Sequence, residues 1–415
     1  MKACIIGLGY IGLPTAITYA LNGVDVLGVD VNPKVVEALN SGHVLIEEPE
    51  ITQLLQKALE TGRLKASESV EHCDAYFICV PTPLTDSKGA ELKYVKSAVE
   101  SLIPVLKKGD LVVLESTVPP GTTSRLVVPL IEKCGLSCEE DVMVAFCPER
   151  VMPGQIFFEL VNNDRVIGGH TPQASALAQK YYSTFVKGNI YLTDATTAEF
   201  VKLAENTYRD VNIALANEFA QLCSESGIDV WEMVELASKH PRVNILRPGP
   251  GVGGHCIAVD PWYLVERFGK DARLIRTSRE INDLTPIKVA DMVESMAPQG
   301  GTIALLGLAY KGNIDDIRES PSLVVLKELK DRGFVVKTSD PHYKGEQVVD
   351  TYEAVKGADL ILVLTDHDEY RKLDIARIKN LVCGNLIFDC RNVIDKKGFE
   401  EADFRVRLLG DGKFS

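Results

Sequence analysis

The opening of the chain alternates short apolar runs with one longer helical pattern. Residues 2–6 and 24–29 are short, mainly apolar runs, and a helical run extends between them from a glycine-rich turn to Leu21. Strands of a parallel sheet are buried on both faces and therefore read as continuous hydrophobic runs of this length. The pattern predicts a strand, a helix and a second strand that pairs in parallel with the first.

Further apolar runs and a helical middle divide the rest of the chain. Runs of strand length occur at 75–80, 111–115 and 142–146. From 196 to 224 the pattern becomes helical with few Gly or Pro interruptions, and a second helix is predicted around 230–238. We expect a first doubly wound domain over 1–193 and, over 194–298, a central helical region that includes a candidate catalytic loop.

Beyond Gly300 the opening pattern returns in altered form. A helix is predicted at 320–331, and strands are predicted at 302–307, 334–339, 360–364 and 386–389. The second of these strands ends at Asp340, as the second strand of the chain ends at Asp30. The predicted fold class is therefore α/β, with two doubly wound Rossmann-like domains, the second over 299–415, joined by the central helical region.

The composition argues against one class of partner and indicates the redox state of the cysteines. The 415 residues carry a net charge of −13 that no basic run offsets, which argues against a nucleic-acid partner. Ten cysteines lie at irregular spacings without a CxxC pair, in a chain too large to need disulfides for its core. Reduced thiols and a cytoplasmic location are expected.

The uncharged stretch 3–21 is long enough to be compared with a membrane helix or a signal peptide. Three glycines and Pro14 interrupt it, and Asp25 and Asp30 follow in the next apolar segment. We therefore expect no membrane segment here.

Gly7, Gly9 and Gly12 form a GxGxxG motif directly after the first predicted strand. In a strand–turn–helix–strand unit of this kind, bare backbone N–H groups and the helix N-terminus face a pyrophosphate, and the terminal acid accepts from ribose hydroxyls. Asp30 would also repel a 2′-phosphate, so NAD is favoured over NADP. The alternative is a glycine turn in a parallel sheet that binds no ligand.

Polar side chains follow the next three predicted strands. Thr82 lies after 75–80, Thr117 after 111–115 and Glu149 after 142–146. Ligands of open α/β sheets bind at the carboxyl ends of the strands, so these side chains are candidates for one crevice. The alternative is ordinary turn chemistry, which serves as well for Thr82 and less well for the other two.

The central helix carries Lys202, Asn206 and Arg209 at spacings that place an amine, an amide and a guanidinium on one face. Taken alone, such a face is more often a solvated surface. The loop that follows later in the chain favours a functional role for this helix face over a solvated surface.

Residues 247–263 hold the most unusual sequence of the chain. Four glycines lie within residues 249–254, Cys256 comes next, and Asp260 follows four residues later. We expect the glycines to leave bare backbone against which a bulky ligand could lie. A thiol with a nearby acid suits covalent chemistry on a carbonyl carbon. The alternative is a buried cysteine beside a tight turn.

The second doubly wound domain lacks GxGxxG, so it need not bind a second dinucleotide. Its first turn instead brings Lys311 and Arg318, which suit phosphate groups.

These residues together resemble the nucleotide-sugar 6-dehydrogenase family, the UDP-glucose/GDP-mannose dehydrogenases, across essentially the whole chain. The motifs that carry the resemblance are PGPGVGGHCIAVDPWYL, PERVMPG, NDRVIGG and ENTYRDVNIALANE. The resemblance implies oxidation of a UDP-sugar CH2OH to a carboxylate by two successive hydride transfers to NAD. The GGHC form of the loop implies a UDP-acetamidosugar, with UDP-N-acetylmannosamine preferred and UDP-N-acetylglucosamine as the alternative.

Roles carry over from the family by motif. The resemblance implies that Cys256 captures the aldehyde, Lys202 stabilises the oxyanion with Asn206 beside it, and Asp260 orders or activates water. Thr117 and Glu149 match polar residues at the reacting carbon. The implied cofactor positions are Gly7, Gly9, Tyr10, Ile11, Gly12, Asp30, Thr82, Thr117 and Arg318. The implied substrate positions are Arg150, Val151, Lys202, Asn206, Arg209, His240, Arg242, Gly253, Tyr310, Lys311 and Arg391.

The resemblance also implies at least a dimer, because in the family the segment at 240–242 can reach the site of the neighbouring subunit. Two residues depart from the commoner family pattern. Cys147 precedes Pro-Glu with no assigned role, and His255 replaces the Ser of the UDP-glucose branch. Since adjacent side chains diverge on an extended segment, His255 fits a sugar-acetamide or loop-packing role better than that of a base.

Two other functions compete with this one. A hydroxyacid dehydrogenase would share the first domain and a helical partner, but it explains neither Cys256 nor the second α/β domain. A nucleotide-sugar sensor would keep the fold without turnover, and the set formed by Lys202, Cys256 and Asp260 argues against it.

Overall fold

The computed structural model describes residues 1–46, 48–152 and 154–413. Pro153 of the PERVMPG motif and the last two residues of the predicted third region, Phe414 and Ser415, lie outside the described residues. The chain divides into two compact units, Met1–Glu205 and Asn206–Ser415. The domain boundaries expected from the sequence stay predictions.

The first unit is built on one eight-stranded sheet in the order β3-β2-β1-β4-β5-β6-β7-β8. Its strands are β1 (Lys2–Ile6), β2 (Asp25–Val29), β3 (Leu64–Ser67), β4 (Ala75–Ile78), β5 (Leu111–Leu114), β6 (Met143–Phe146), β7 (Arg165–Gly169) and β8 (Ile190–Asp194). Neighbouring strands are parallel except β6 and β7, which are antiparallel. The hydrophobic pattern did not indicate this reversal.

Helices of the first unit connect these strands. They are α1 (Gly12–Leu21), α2 (Pro33–Asn40), α3 (Ile51–Glu60), α4 (Lys93–Leu102), α5 (Val128–Glu132), α6 (Ile156–Asn162) and α7 (Pro172–Tyr182), with a π-helical turn at Thr123–Val127 before α5. Ala3 and Ile5 of β1 pack into one buried cluster, and Cys4 and Ile6 pack into another. Successive residues therefore bury opposite faces of the sheet, which is the doubly wound arrangement that the apolar runs predict.

The second unit carries a five-stranded parallel sheet in the order β10-β9-β11-β12-β13. Its strands are β9 (Thr302–Leu306), β10 (Val335–Ser339), β11 (Leu360–Val363), β12 (Leu386–Asp389) and β13 (Arg405–Leu408). The remaining helices are α8 (Ala195–Ser226), α9 (Val230–Ala237), α10 (Asp260–Phe268), α11 (Arg273–Met296), α12 (Pro321–Asp331), α13 (Thr351–Val355), α14 (Ile375–Leu381) and α15 (Lys396–Glu401). The predicted α/β class, with two Rossmann-like sheets and a helical middle, is confirmed.

Helix α8 is 32 residues long and leaves part of its apolar surface exposed. Tyr208, Leu215 and Leu222 are 69%, 42% and 50% exposed, and Val211 between them is half-buried. These positions follow a heptad spacing, so they form one stripe, which we call the α8 stripe. Among the described residues, no helix is both long and apolar enough to span a bilayer.

Candidate active site

The turn after β1 has the geometry of a dinucleotide-binding turn. Gly7 has a φ of +90°, and its N–H donates to the carbonyl of Val29 at 2.8 Å. A Cβ at Gly12 would overlap the carbonyl oxygen of Gly7, whereas a Cβ at Gly9 would meet nothing within 4 Å. Gly7 and Gly12 thus shape the turn and the start of α1, while Gly9 leaves open space above it, which fits the close approach of a pyrophosphate.

Asp30 directly follows β2, and its carboxylate can accept more hydrogen bonds than the two that the protein donates to it. One carboxylate oxygen accepts from the N–H of Leu8 and the other from the N–H of Asn32, both at 2.9 Å, and the residue is half-exposed. An ionised carboxylate offers about four lone-pair positions, so two remain for ribose hydroxyls. Tyr10 is exposed and Ile11 is half-buried in the same turn.

The loops after β4 and β5 are tied to each other. The Thr82 hydroxyl donates to the carbonyl of Thr117 at 2.7 Å, and the Ser116 hydroxyl donates to the carbonyl of Val80 at 2.7 Å. The Thr82 hydroxyl proton is therefore used by the backbone. The structure brings these two predicted residues together at the carboxyl edge of the sheet.

Glu199, in the first turns of α8, fixes the rest of the β5 loop. Its buried carboxylate accepts from the N–H of Thr123 at 2.7 Å, from the Thr123 hydroxyl at 2.6 Å and from the N–H of Gly121. The loop that holds Thr117 is thus attached to the helix that carries Lys202 three residues further on. Sequence reasoning missed Glu199, because an acid on a helix gives no signal that it is buried.

Glu149 lies in a buried ion pair. Its carboxylate is 2.9 Å from the Arg165 guanidinium, and the side chains are 8% and 4% exposed. Arg150 points elsewhere, pairing with Glu205 at 2.6 Å. The Cys147 thiol is fully buried 3.9 Å from Arg165, and burial raises its pKa to about 12, so it is a packed thiol without nucleophilic character.

In the second unit, the loop at residues 247–259, which we call the cysteine loop because it carries Cys256, leads directly into α10. The carbonyl of Cys256 accepts from the N–H groups of Val259 at 3.1 Å and Asp260 at 2.8 Å, so the thiol-bearing residue begins the turn that becomes the helix. The N-terminal end of a helix favours a thiolate, and Cys256 is only partly buried. Cys256 is therefore accessible, as a nucleophile must be, and it lies in the turn that precedes a helix N-terminus.

Asn206 and Asp260 are joined by a side-chain hydrogen bond. The Asn206 amide donates to the Asp260 carboxylate at 2.6 Å, and Asp260, the first residue of α10, is 3% exposed. Lys202 precedes Asn206 by one turn of α8, so the helix presents both on one face. Arg209, the third residue of the predicted face, is exposed.

The glycines of the cysteine loop are packed against protein rather than left bare. A Cβ at Gly253 would lie 2.6 Å from the Cβ of Tyr310, and one at Gly254 would lie 2.9 Å from the Tyr310 ring. Gly251, with a φ of +133°, lies against the backbone carbonyl of Asn282. The expectation of open backbone is corrected: these glycines allow the loop to approach Tyr310 and α11 closely.

Basic residues follow two strands of the second sheet, and two of them, Arg318 and Arg391, lie against the cysteine loop. Arg318 contributes its carbonyl to the N–H of Gly254 at 3.0 Å, and its guanidinium pairs with Asp316 at 2.6 Å. Arg391 pairs with Asp366 at 3.1 Å. Burial raises the pKa of Tyr310, and Lys311 beside it is exposed. The predicted phosphate-binding residues therefore lie at the carboxyl edge of this sheet.

Three of the remaining predicted residues are exposed and one is half-buried. His240 and Arg242 lie in a stretch of exposed residues after α9, where the N–H of Arg242 donates to the His240 ring at 3.3 Å. His255 is exposed next to Cys256, and Val151 is half-buried after Arg150. Exposure at 240–242 is compatible with the expected contribution to a neighbouring subunit.

Comparisons with known proteins agree along the whole chain. Sequence profiles of the UDP-glucose/GDP-mannose dehydrogenase family match residues 1–186 as its NAD binding domain, 196–284 as its central domain and 304–396 as its UDP binding domain. The UDP-N-acetyl-D-mannosamine dehydrogenase of Methanocaldococcus jannaschii is 48% identical over 99% of this chain and 97% of its own length. The NDP-N-acetyl-D-galactosaminuronic acid dehydrogenase of Ralstonia nicotianae is 45% identical over 96% of both. The structure of UDP-D-ManNAc dehydrogenase from Pyrococcus horikoshii superposes with a TM-score of 0.92 at 44% identity, covering 99% of this chain and 100% of that one.

Proposed function

The chain belongs to the UDP-glucose/GDP-mannose dehydrogenase family, and we propose that it oxidises UDP-N-acetyl-D-mannosamine to UDP-N-acetyl-D-mannosaminuronate. It is an NAD-dependent UDP-sugar dehydrogenase, which confirms the enzyme class, cofactor and family expected from the sequence. The open space at Gly9 and the spare acceptors of Asp30 fit NAD. The observation that carries the proposal is a partly buried thiol, Cys256, at the entrance to α10.

Within this proposal, NAD supplies the hydride acceptor for both oxidations. The Cys256 thiolate adds to the aldehyde carbon left by the first oxidation, forming a thiohemiacetal whose oxyanion the Lys202 ammonium stabilises. The second oxidation leaves a thioester on Cys256. Asp260, oriented by the Asn206 amide at 2.6 Å, positions the water that releases the carboxylate and restores the thiol.

The acetamido specificity rests on the residues around the cysteine loop. A 2-acetamido group brings one carbonyl acceptor and one N–H donor, and a site that pairs both rejects a bare hydroxyl strongly. His255, exposed beside Cys256, and Arg209, exposed on α8, are the candidate partners. Lys311 and Arg391 supply the positive charge for the diphosphate of the substrate. UDP-N-acetylglucosamine, which differs in configuration at C2, is the alternative substrate.

We further propose that the protein is a homodimer formed through the α8 stripe. Tyr208, Leu215 and Leu222 expose large apolar side chains at heptad spacing, and exposed stripes of this kind mark association surfaces. The exposed segment at 240–242 would then be available to a second subunit. The ten free cysteines fit a reducing compartment, so the proposed location is the cytoplasm.

A panel of four UDP-sugars tests the substrate. We expect two NADH per UDP-N-acetylmannosamine consumed, no aldehyde trapped by hydroxylamine, a lower kcat/KM for UDP-N-acetylglucosamine and UDP-N-acetylgalactosamine, and poor turnover of UDP-glucose. A preference for UDP-glucose would overturn the acetamido assignment. One NADH per sugar with free aldehyde would overturn covalent capture, and binding without any NADH would favour a sensor.

A further inference from the structure

The cysteine loop enters the site through an unusual backbone segment, Pro248-Gly249-Pro250, whose three residues are all buried. Proline has no N–H, so the N–H of Gly249 is the only backbone donor in this tripeptide. It donates to the side-chain oxygen of Asn217 on α8 at 2.9 Å. A single side chain therefore satisfies the only backbone hydrogen that could fix this part of the loop.

Behind Asn217 the hydrogen bonds continue through two helices. The Asn217 amide donates to the Asn282 side-chain oxygen at 3.0 Å, and the Asn282 amide donates to the Asp210 carbonyl at 3.0 Å and carboxylate at 2.9 Å. Arg279 donates to the same carboxylate at 2.6 Å. The four side chains of this series belong to residues that are 7%, 1%, 0% and 1% exposed, in the order Asn217, Asn282, Asp210 and Arg279.

The direction of every bond in this series is fixed from both ends. The Gly249 N–H can only donate, so the oxygen of Asn217 must face it, and the Asn217 amide nitrogen must face Asn282. At the far end the Asp210 carbonyl and carboxylate can only accept, so the nitrogen of Asn282 must face them. Neither amide can reverse without placing two donors or two acceptors together in a buried site, and each such mismatch is costly.

Helix α11, which carries Asn282, touches the loop again two residues later. A Cβ at Gly251 would lie 3.1 Å from the backbone carbonyl of Asn282 and 3.2 Å from the ring of Pro286. On its other side Gly249 lies against Arg391, whose guanidinium would be 2.5 Å from an added Cβ. The loop therefore has little freedom before it reaches Cys256.

We propose that Asn217 is a positioning residue for Cys256, supported by Asn282. Its side-chain oxygen holds the Pro248-Gly249-Pro250 segment at a fixed position along α8. This in turn fixes the position of the Cys256 thiol before α10. The proposal rests on the proposed role of Cys256 as nucleophile, and it concerns the placement of the thiol rather than its chemistry.

The variant Asn217→Asp tests this in the full-length protein. Its carboxylate still accepts from Gly249, but it has no N–H for the oxygen of Asn282, so two acceptors face each other. We expect kcat to fall about 10- to 100-fold with KM for the UDP-sugar nearly unchanged, since a displacement of about 1 Å is sufficient for a loss of that size. The NAD dissociation constant should not change.

A second readout needs no turnover. Alkylation of Cys256 by iodoacetamide, followed by mass spectrometry of its peptide, should slow about threefold or more in Asn217→Asp, because the thiol leaves the helix end that favours the thiolate. Asn380→Asp is the matched control: its amide donates to the carbonyl of Ala376 at 3.0 Å on an exposed part of α14, and both readouts should stay at wild-type values.

Thermal unfolding identifies variants that do not fold, and Asn217→Ala is the milder replacement, for which we expect about a tenfold loss of kcat. A folded variant at Asn217 with wild-type kcat and alkylation rate would overturn the proposal, and so would failure of both variants to fold, which would make Asn217 a residue of the fold alone. If the wild type itself oxidised no UDP-sugar, the proposed function would fail, yet the alkylation rates would still report on positioning.

Discussion

The first turns of the two sheets are nearly the same sequence and differ at the positions that matter for a dinucleotide. Gly-Leu-Gly-Tyr-Ile-Gly at 7–12 corresponds to Gly-Leu-Ala-Tyr-Lys-Gly at 307–312. Gly7 and Gly307 have φ values of +90° and +95°, and each N–H donates at 2.8 Å to the last residue of the neighbouring strand. The open position of Gly9 is Ala309 in the second sheet. In the first unit a helix starts at Gly12, whereas in the second α12 starts only at Pro321.

The acids that end β2 and β10 differ more than the turns do. Asp30 accepts from two backbone N–H groups and is half-exposed. Asp340 is 6% exposed and has five partners: the N–H groups of Leu308, Ala309, His342 and Tyr343, and the ring of His367. The other ring nitrogen of His367 accepts from the N–H of Asn313, so the nitrogen facing Asp340 carries the proton. A carboxylate with five donors has no capacity for a ribose. One scaffold thus yields a cofactor site or a closed turn, depending on which acceptors remain unused.

If the first sheet binds the cofactor and the second unit carries the nucleophile, a substitution should be able to abolish covalent capture without weakening cofactor binding. Cys256→Ala removes the thiol without touching the turn at 7–12, so acid formation should fall a hundredfold or more, which is at least about 2.7 kcal/mol of transition-state stabilisation. NAD and UDP-sugar affinities should change little. Steady-state NADH production together with isothermal titration with NAD measures both. Near-normal acid formation would make Cys256 structural and move the nucleophile elsewhere.

Exchanging each acid for its amide tests the comparison from both sides. In Asp340→Asn an amide nitrogen must face backbone N–H donors in a buried site, and we expect a loss of about 2–3 kcal/mol in the free energy of unfolding. NAD affinity should not change. Both tryptophans, Trp231 and Trp262, lie in the second unit, so their fluorescence during urea unfolding reports on this region.

The reciprocal change is the control. Asp30→Asn loses the charged acceptor for the ribose but keeps an acceptor for Leu8, so NAD affinity should fall about tenfold or more with less than about 1 kcal/mol lost in stability. A comparable loss of NAD affinity in both variants would contradict the view that only the first acid faces a ligand.

Only part of the fold and of the candidate site could be predicted from the sequence alone. The apolar runs place β1, β2, β9 and β10, and the motif at 7–12 identifies the cofactor turn, because both signals are local. The packing of Gly253 against Tyr310 joins residues far apart in the chain, and the reversal of β7 leaves no trace in the hydrophobic period. Buried polar side chains such as Asn217 and Glu199 look in sequence like a solvated helix face, since only the partner element reveals that they are enclosed.

Gly9→Ala tests the open space directly. A Cβ at this position meets nothing within 4 Å, so the fold should lose less than about 0.5 kcal/mol, while the added methyl group occupies the approach to the pyrophosphate. We expect the NAD dissociation constant to rise about tenfold, or about 1.4 kcal/mol. Gly312→Ala, in the corresponding turn of the second sheet, should instead destabilise the fold and leave NAD affinity unchanged. Its Cβ would lie 2.5 Å from the carbonyl of Asp366. Unchanged NAD binding in Gly9→Ala would place the pyrophosphate elsewhere.

The smallest expected effect is a pH dependence that Asp340 alone should cause. Burial by itself would raise the pKa of this carboxyl, but the hydrogen bonds from His367, Ala309 and Tyr343 prevail and hold the pKa well below its usual range. A carboxyl with a depressed folded pKa stabilises the protein fully above its unfolded pKa of about 3.9, and this contribution is lost as the pH falls further. Between about pH 4 and about pH 3 the loss is about 1 kcal/mol for one such group. The wild type should therefore lose more unfolding free energy over this interval than Asp340→Asn, measured by urea titration with tryptophan fluorescence. Parallel profiles would mean that the Asp340 carboxylate contributes no pH-dependent stability, and the closed turn of the second sheet would then have to be held by packing rather than by its acid.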